Sequence, residues 1–137
     1  MASTKKGKKF VLRGSVSSGL GEGRYFMRKP KYRKQFVSRL KINPYLGTLN
    51  IKLSKASSAS LSSIKRRKAI LVSGFKEGSR SFGAVLCYDA MLRGERCALI
   101  VPKLSKHTAV AELISSEKLR DKLKLKDGAR VQFEVFA

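Results

Sequence analysis

The feature that most constrains this chain is a set of short segments in which apolar and polar residues alternate, each closed by turn residues. Residues 48–53 set Leu49, Ile51 and Leu53 against Thr48, Asn50 and Lys52. Successive side chains on a strand point to opposite faces, so this pattern specifies a half-buried strand. Residues 129–136 repeat it with Val131, Phe133 and Val135. Residues 10–16 read as a first strand whose alternation is interrupted at Gly14. Residues 69–74, 81–88 and 95–102 read as three more, joined by short links rich in Gly, Lys and Arg. Residues 110–115 fit a short helix or a strand, and residues 24–27 could form a short strand. Six or seven strands at this spacing specify a mainly β fold, a small closed barrel rather than a parallel doubly wound sheet.

Two or three short helices accompany the strands. After Pro30, residues 31–40 place Tyr32, Phe36, Val37 and Leu40 at helical spacing, with Lys and Arg on the other face. This is the pattern of a helix packed on a core. A second helix is predicted over 117–125, ended by the turn signal Asp127-Gly128. Residues 54–63 hold six serines and read as a loop or poorly ordered insertion. The basic run Lys65 to Lys68 reads as solvated surface.

A length of 137 residues allows one domain. We expect a mobile basic tail over 1–9 and a single barrel domain over 10–137, with 54–81 as a variable insertion. The 31 Lys and Arg outweigh 9 Asp and Glu, for a net charge of +22. The excess is uneven: 13 basic residues against one acid in 1–41, but 10 against 7 in 82–137. Such a field attracts polyanions, whether nucleic acid, an acidic membrane surface or phosphorylated metabolites. No apolar run approaches the ~20 residues of a membrane span, and no h-region follows the basic start. Cys87 and Cys97 make no disulfide framework and read as buried thiols in a reduced cytoplasmic protein.

Three constellations could carry chemistry. Gly19-Leu20-Gly21-Glu22-Gly23 lets backbone N–H groups crowd an anion without Cβ interference, and Arg24 adds a cationic fork. It lacks the Gly-Lys-Ser/Thr of a Walker loop and the βαβ context of a dinucleotide fingerprint. Thr48 and Asn50 stand at i and i+2 on a strand, so two uncharged oxygen ligands converge on one face. Spacing alone favours an ordinary polar strand face. His107 is the single histidine and has no carboxylate or thiol at metal-ligand spacing. No Ser/His/Asp set or nucleophile elbow is present.

In this order, the segments Gly14–Phe26, Asn43-Pro-Tyr-Leu-Gly-Thr-Leu-Asn-Ile-Lys-Leu53, Ile100-Val-Pro-Lys103 with His107, and Lys118-Leu-Arg-Asp121 before Leu125-Lys-Asp-Gly128 resemble the archaeal CTP-dependent riboflavin kinase family. The resemblance runs from about Leu12 onward and is poor over 54–81. It implies a six-stranded cradle-loop barrel that transfers a phosphoryl group from CTP to the 5′-hydroxyl of riboflavin, giving FMN and CDP. It places nucleotide binding on Gly19, Leu20, Gly21, Glu22, Gly23 and Arg24 and on Lys118, Leu119, Arg120 and Asp121. Mg²⁺ falls to Thr48 and Asn50, and flavin contacts fall to Ser105 and Glu112. Ser105 stands where Thr is usual and keeps the hydroxyl. Leu46 stands where Pro is frequent. Glu112, the one family-matched carboxylate on the flavin side, is the candidate for accepting the hydroxyl proton. Some members carry a helix-turn-helix before the barrel; here a nine-residue basic tail precedes it. The expected partners are CTP and riboflavin and their products. We expect no membrane, only weak charge-driven nucleic-acid binding, and a monomer. A basic nucleic-acid-binding barrel without kinase activity is the competing expectation.

Overall fold

The computed structural model describes residues 7–18, 27–104 and 109–137. Nine strands are described: β1 (Lys9–Ser17), β2 (Leu49–Leu53), β3 (Ile70–Val72), β4 (Phe75–Glu77), β5 (Arg80–Phe82), β6 (Val85–Leu92), β7 (Glu95–Pro102), β8 (Val110–Ile114) and β9 (Arg130–Phe136). Three helices accompany them: α1 (Pro30–Gln35), α2 (Lys55–Ile64) and α3 (Leu119–Lys122), with a π-helical turn over Phe36–Leu40.

Six strands close into an antiparallel barrel in the order β6-β7-β8-β2-β1-β9, with β9 returning to β6. Closure rests on the length of β6. The Asp89–Leu92 half of one edge bonds β9, while the Val85–Cys87 half of the same edge bonds β3. A closed sheet has no unpaired edge to expose. The expected closed six-stranded barrel is therefore present, with three further short strands outside the ring.

Alternation decides what fills the barrel. Leu12, Val16, Ile51, Leu92, Leu99, Leu113, Phe133 and Val135 point inward and are buried in one cluster. A second cluster lies on the outer face, where Cys87, Ala98, Ile100 and Ile114 meet Met27, Tyr32, Phe36, Leu40 and Val72. β7 is thus buried on both faces, inside through Cys97, Leu99 and Val101 and outside through Ala98 and Ile100, which explains its near-continuous apolar run Cys97 to Val101. The expected helical stripe over 31–40 is largely realised: Tyr32, Phe36 and Leu40 are buried, but Val37 is 44% exposed. The wider π turn brings Leu40 back under Tyr32 and Phe36 and leaves Val37 turned away.

Two local expectations are corrected. The serine-rich stretch is helical: Ser54 caps α2 by accepting a hydrogen bond from the Ser57 N–H at 3.2 Å. Buried Ser57 accepts from the Arg13 N–H at 2.8 Å, while Leu61 and Ile64 close one end of the barrel. The serines suit a helix that must lie close against β1. Second, the span 81–88 is not one strand. The β4–β5 hairpin pairs Phe75 with Phe82, and their stacked rings lie 4.9 Å apart, with Tyr32 edge-on to Phe75. Of residues 110–115, Val110–Ile114 form a strand, β8. Residues 27 and 28 are helical; residues 24–26 lie outside the described residues.

The two cysteines sit on opposite faces of adjacent strands. Cys97 lies opposite Ala90 inside the barrel and Cys87 opposite Ile100 outside it. Both are free thiols. Burial pushes each up to about 12. An unfolded thiol ionises near ~8.5, so the folded chain holds more protons between that pH and 12. Stability contributed by the neutral thiols is intact below this window and declines as pH rises through it. Ellman's reagent at pH 8 is expected to leave both untouched in native protein and to titrate both in guanidinium. Rapid native reaction would contradict their burial.

Candidate active site

Those of the expected site residues that are described gather at the barrel end where β1 finishes and β2 begins. Ser17 lies opposite Asn50 across β1 and β2, and Asn50 lies opposite Glu112 across β2 and β8. Register therefore sets the side chains of Asn50 and Glu112 side by side on the outer face. Thr48 joins them from the lead-in to β2: its Oγ1 stands 3.2 Å from Glu112 Oε1 and 3.4 Å from Asn50 Oδ1. One hydroxyl proton serves one acceptor, and the nearer, charged carboxylate takes it. Three oxygen-bearing side chains thus converge, all of them half-buried. Spacing put Thr48 and Asn50 on a common face; only the β2–β8 register adds Glu112. The two neutral hard oxygens, Thr48 Oγ1 and Asn50 Oδ1, fit one side of Mg²⁺ or a similar divalent cation completed by phosphate and water, with the Glu112 carboxylate beside them. Among the described residues no group of three His, Cys, Asp or Glu could hold a metal by itself.

The segment 19–24 lies outside the described residues, as do Ser105 and His107, but both flanks of 19–26 are defined. At the leading flank, Ser18 donates to Asp127 Oδ2 at 2.7 Å. Arg120 pairs with Asp127 Oδ1 at 2.8 Å and donates to the Ser17 carbonyl at 3.3 Å. At the trailing flank, Arg33 donates to the carbonyls of Met27 and Pro44, each at 3.0 Å, and to Asn43 Oδ1 at 2.9 Å. The glycine-rich segment therefore springs from one clasp and ends at another, and the second also fixes the turn before Thr48.

The segment Lys118–Asp121 is brought to the same place. Leu119 is buried in the barrel core, and its side chain anchors α3. Lys118 pairs with Asp121 at 3.6 Å and lies 5.9 Å from the centre of the Tyr45 ring. Arg120 is committed to Asp127 and Ser17, which makes it the strut between the two expected nucleotide segments. Asp127 was legible only as a turn residue, and Arg33 and Tyr45 only as parts of a helix face and a turn cluster. No sequence spacing links Ser18 to Asp127 across 109 positions. The Ser18 hydroxyl, followed by Arg120, holds the Asp127 carboxyl below the usual carboxylate range.

Comparison with known proteins then decides the relationship. The family model CTP-dep_RFKase, described as "Domain of unknown function DUF120", matches residues 16–135. The chain belongs to this family. Among similar proteins, a riboflavin kinase of Thermoplasma acidophilum is 43% identical over 126 residues, covering 92% of this chain and 57% of that protein. A riboflavin kinase of Methanosarcina acetivorans is 44% identical over 125 residues, covering 90% and 53%. One of Ignicoccus hospitalis is 38% identical over 130 residues, covering 94% and 73%. The chain thus spans little more than half the length of the first two of these riboflavin kinases. The match to the CTP-dep_RFKase family takes in the β1 end, the Thr48–Asn50–Glu112 cluster and α3 together. No helix among the described residues is long and apolar enough to cross a membrane.

Proposed function

We propose that this chain is a riboflavin kinase that moves the γ-phosphoryl group of CTP to the 5′-hydroxyl of riboflavin, releasing FMN and CDP. The observation that carries the proposal is the convergence of Thr48, Asn50 and Glu112 beside the clasped root of the glycine-rich segment. Phosphoryl transfer asks for positioning and charge neutralisation more than covalent help. Thr48 and Asn50 would hold the divalent cation, which when bound neutralises charge on the phosphate oxygens. Backbone N–H groups of residues 19–23, with Arg24, would cradle the nucleotide phosphates. Lys118 and the α3 backbone would meet the nucleotide from the facing side. Ser105 and Glu112 would contact the flavin. In the transfer, the riboflavin O5′–Pγ bond forms as the bond from Pγ to the β,γ-bridging oxygen breaks. The electron pair leaves with CDP, and the hydroxyl proton passes to Glu112.

Incubation with riboflavin, Mg²⁺ and either CTP or ATP, followed by chromatography, tests the proposal. FMN formed with CTP is the expected result. FMN formed only with ATP would overturn the nucleotide, and none with either would overturn the activity. Glu112→Gln is expected to lower turnover by roughly 10²-fold, the lower range for a positioned base; unchanged turnover would remove that role.

The Asp127 clasp makes a separate prediction. Asp127→Ala frees Ser18 and Arg120 together and is expected to raise KM for the nucleotide about three- to tenfold, the effect of a few exposed charge-assisted bonds. Because the folded pKa is depressed, the clasp is intact above the ordinary carboxylate range and is lost as pH falls through the lowered value. KM should therefore rise on acidification in the parent and stay flat in the variant.

A further inference from the structure

A groove of about 1070 Å³ runs along the outer wall of β2, β1 and β9 to the β6–β7 turn. It is centred one strand away from the Asn50–Glu112 face. Four cations line it: Arg13, Lys52, Arg93 and Arg130. All four residues are exposed. Register places them together: Lys52 lies opposite Ser15 on β1, Ser15 opposite Arg130, and Arg13 opposite Gln132 on β9. Arg93 arrives from the tight β6–β7 turn, where Arg93 and Gly94 both adopt positive φ, and donates to the Arg130 carbonyl at 3.2 Å.

The groove concentrates its charge in a concave site, with no ion pair to its cations among the described residues. Six ion pairs among the described residues engage Lys9, Lys29, Arg96, Lys118, Arg120 and Lys122. None of them includes a groove cation. Among the described residues the one carboxylate lining the groove, Glu134, is already paired with Lys9 at 3.4 Å. Arg13 spends one N–H on Gln132 and keeps the others. Four like charges held in one concavity repel each other, and an anion entering it removes that repulsion.

We propose that this groove binds the phosphate backbone of a single nucleic-acid strand. It is an open furrow along three strands rather than an enclosed pocket. A concave cationic furrow tracks a strand, whereas a bilayer surface asks for a flat or convex face. Among the described residues no aromatic side chain lines the groove, so bases find no stacking platform there and binding should be indifferent to sequence. The expected weak, charge-driven affinity of the whole surface thereby acquires a location.

The test is fluorescence anisotropy with a labelled 20-nucleotide RNA of mixed sequence, across a salt series. The fourfold variant Arg13→Gln, Lys52→Gln, Arg93→Asn, Arg130→Gln is compared with an equal loss of charge elsewhere: Lys31, Lys34, Arg39 and Lys76, each to Gln. The groove variant is expected to bind at least about tenfold more weakly, with a salt slope shallower by about 3, as four lost contacts to a single strand imply. The control variant should change affinity less than about threefold. Equal weakening in both variants overturns the proposal, since net charge alone would then account for binding. So does anionic phosphatidylglycerol vesicle binding that depends on the groove cations while RNA binding does not. FMN formation by the groove variant should match the parent; its loss would assign the groove to the phosphoryl-transfer site instead. Should the fourfold variant fail to fold, the double variants Arg13/Lys52 and Arg93/Arg130 carry the same comparison, each with a slope change of about 1.4.

Discussion

Thr48→Val combined with Asn50→Leu is expected to cut FMN formation by at least about 10³-fold while leaving the melting temperature within a few degrees. Both replacements nearly preserve shape and delete only the oxygens that would hold the cation. Loss of a single preorganised polar group at a reacting centre typically costs about 10²–10³, and here two are removed. The side chains are half-buried at the mouth of β2, away from the inward-pointing Leu49 and Ile51, so the core is untouched. The Thr48 hydroxyl is also the hydrogen-bond donor to Glu112, which loses its orientation in the same variant. Electron paramagnetic resonance of Mn²⁺ with CDP gives a readout independent of turnover: the parent should immobilise the ion and the variant should not. A variant that retains turnover within tenfold of the parent would remove the cation site from these residues.

Gly14→Ala should produce the largest loss of stability for the smallest chemical change. An added Cβ would collide with the Lys52 carbonyl oxygen and come within 2.8 Å of Ile51 Cγ2 and 2.9 Å of the Lys52 carbonyl carbon. Two of these neighbours are backbone and cannot swing aside. Gly14 is where β1 bonds both neighbours at once, lying opposite Leu53 on β2 and Val131 on β9. Relief requires the strands to part at the seam of a closed barrel. Overpacking of this kind costs typically 1–3 kcal/mol and occasionally more; against backbone we expect the upper end, about 3 kcal/mol. That corresponds to a melting temperature lower by roughly 10 °C for a chain of this size. An unchanged melting curve would show that the β1–β2 crossing is looser than described.

Gly14 also illustrates what a pattern conveys and what it withholds. In sequence it appears as a break in the alternation of the first strand. Its cause, the approach of a strand 38 positions further on, is a fact of register. The barrel itself was legible, because period-two burial is a local consequence of strand geometry and recurs in β1, β2 and β9. The serine-rich helix was not. Serine disfavours helix interiors in isolation, and α2 is stabilised by the Ser54 cap and by Leu61 and Ile64 closing the barrel. The β4–β5 hairpin was missed for a similar reason: three-residue strands carry too few alternations to register, and aromatic packing of Phe75 and Phe82 holds them.

The candidate site divides along the same line. Thr48 and Asn50 were legible because i and i+2 on a strand share a face, a relation confined to three residues. Glu112 entered the sequence reading only through family resemblance, on the flavin side. Its place beside Thr48 follows from pairing of β2 with β8. The clasp of Ser18, Arg120 and Asp127 unites residues more than a hundred positions apart. By itself, then, the sequence determined the strand-built class, the inward and outward faces, and the polar pair at the head of β2. These rest on dihedral preference and burial of alternating side chains, which act over a few residues. Only the tertiary structure decided which strands neighbour one another, and hence which carboxylate joins the pair, what anchors the glycine-rich segment, and where four unpaired cations share one furrow. Those depend on barrel closure, in which register between distant strands is set by the whole ring at once.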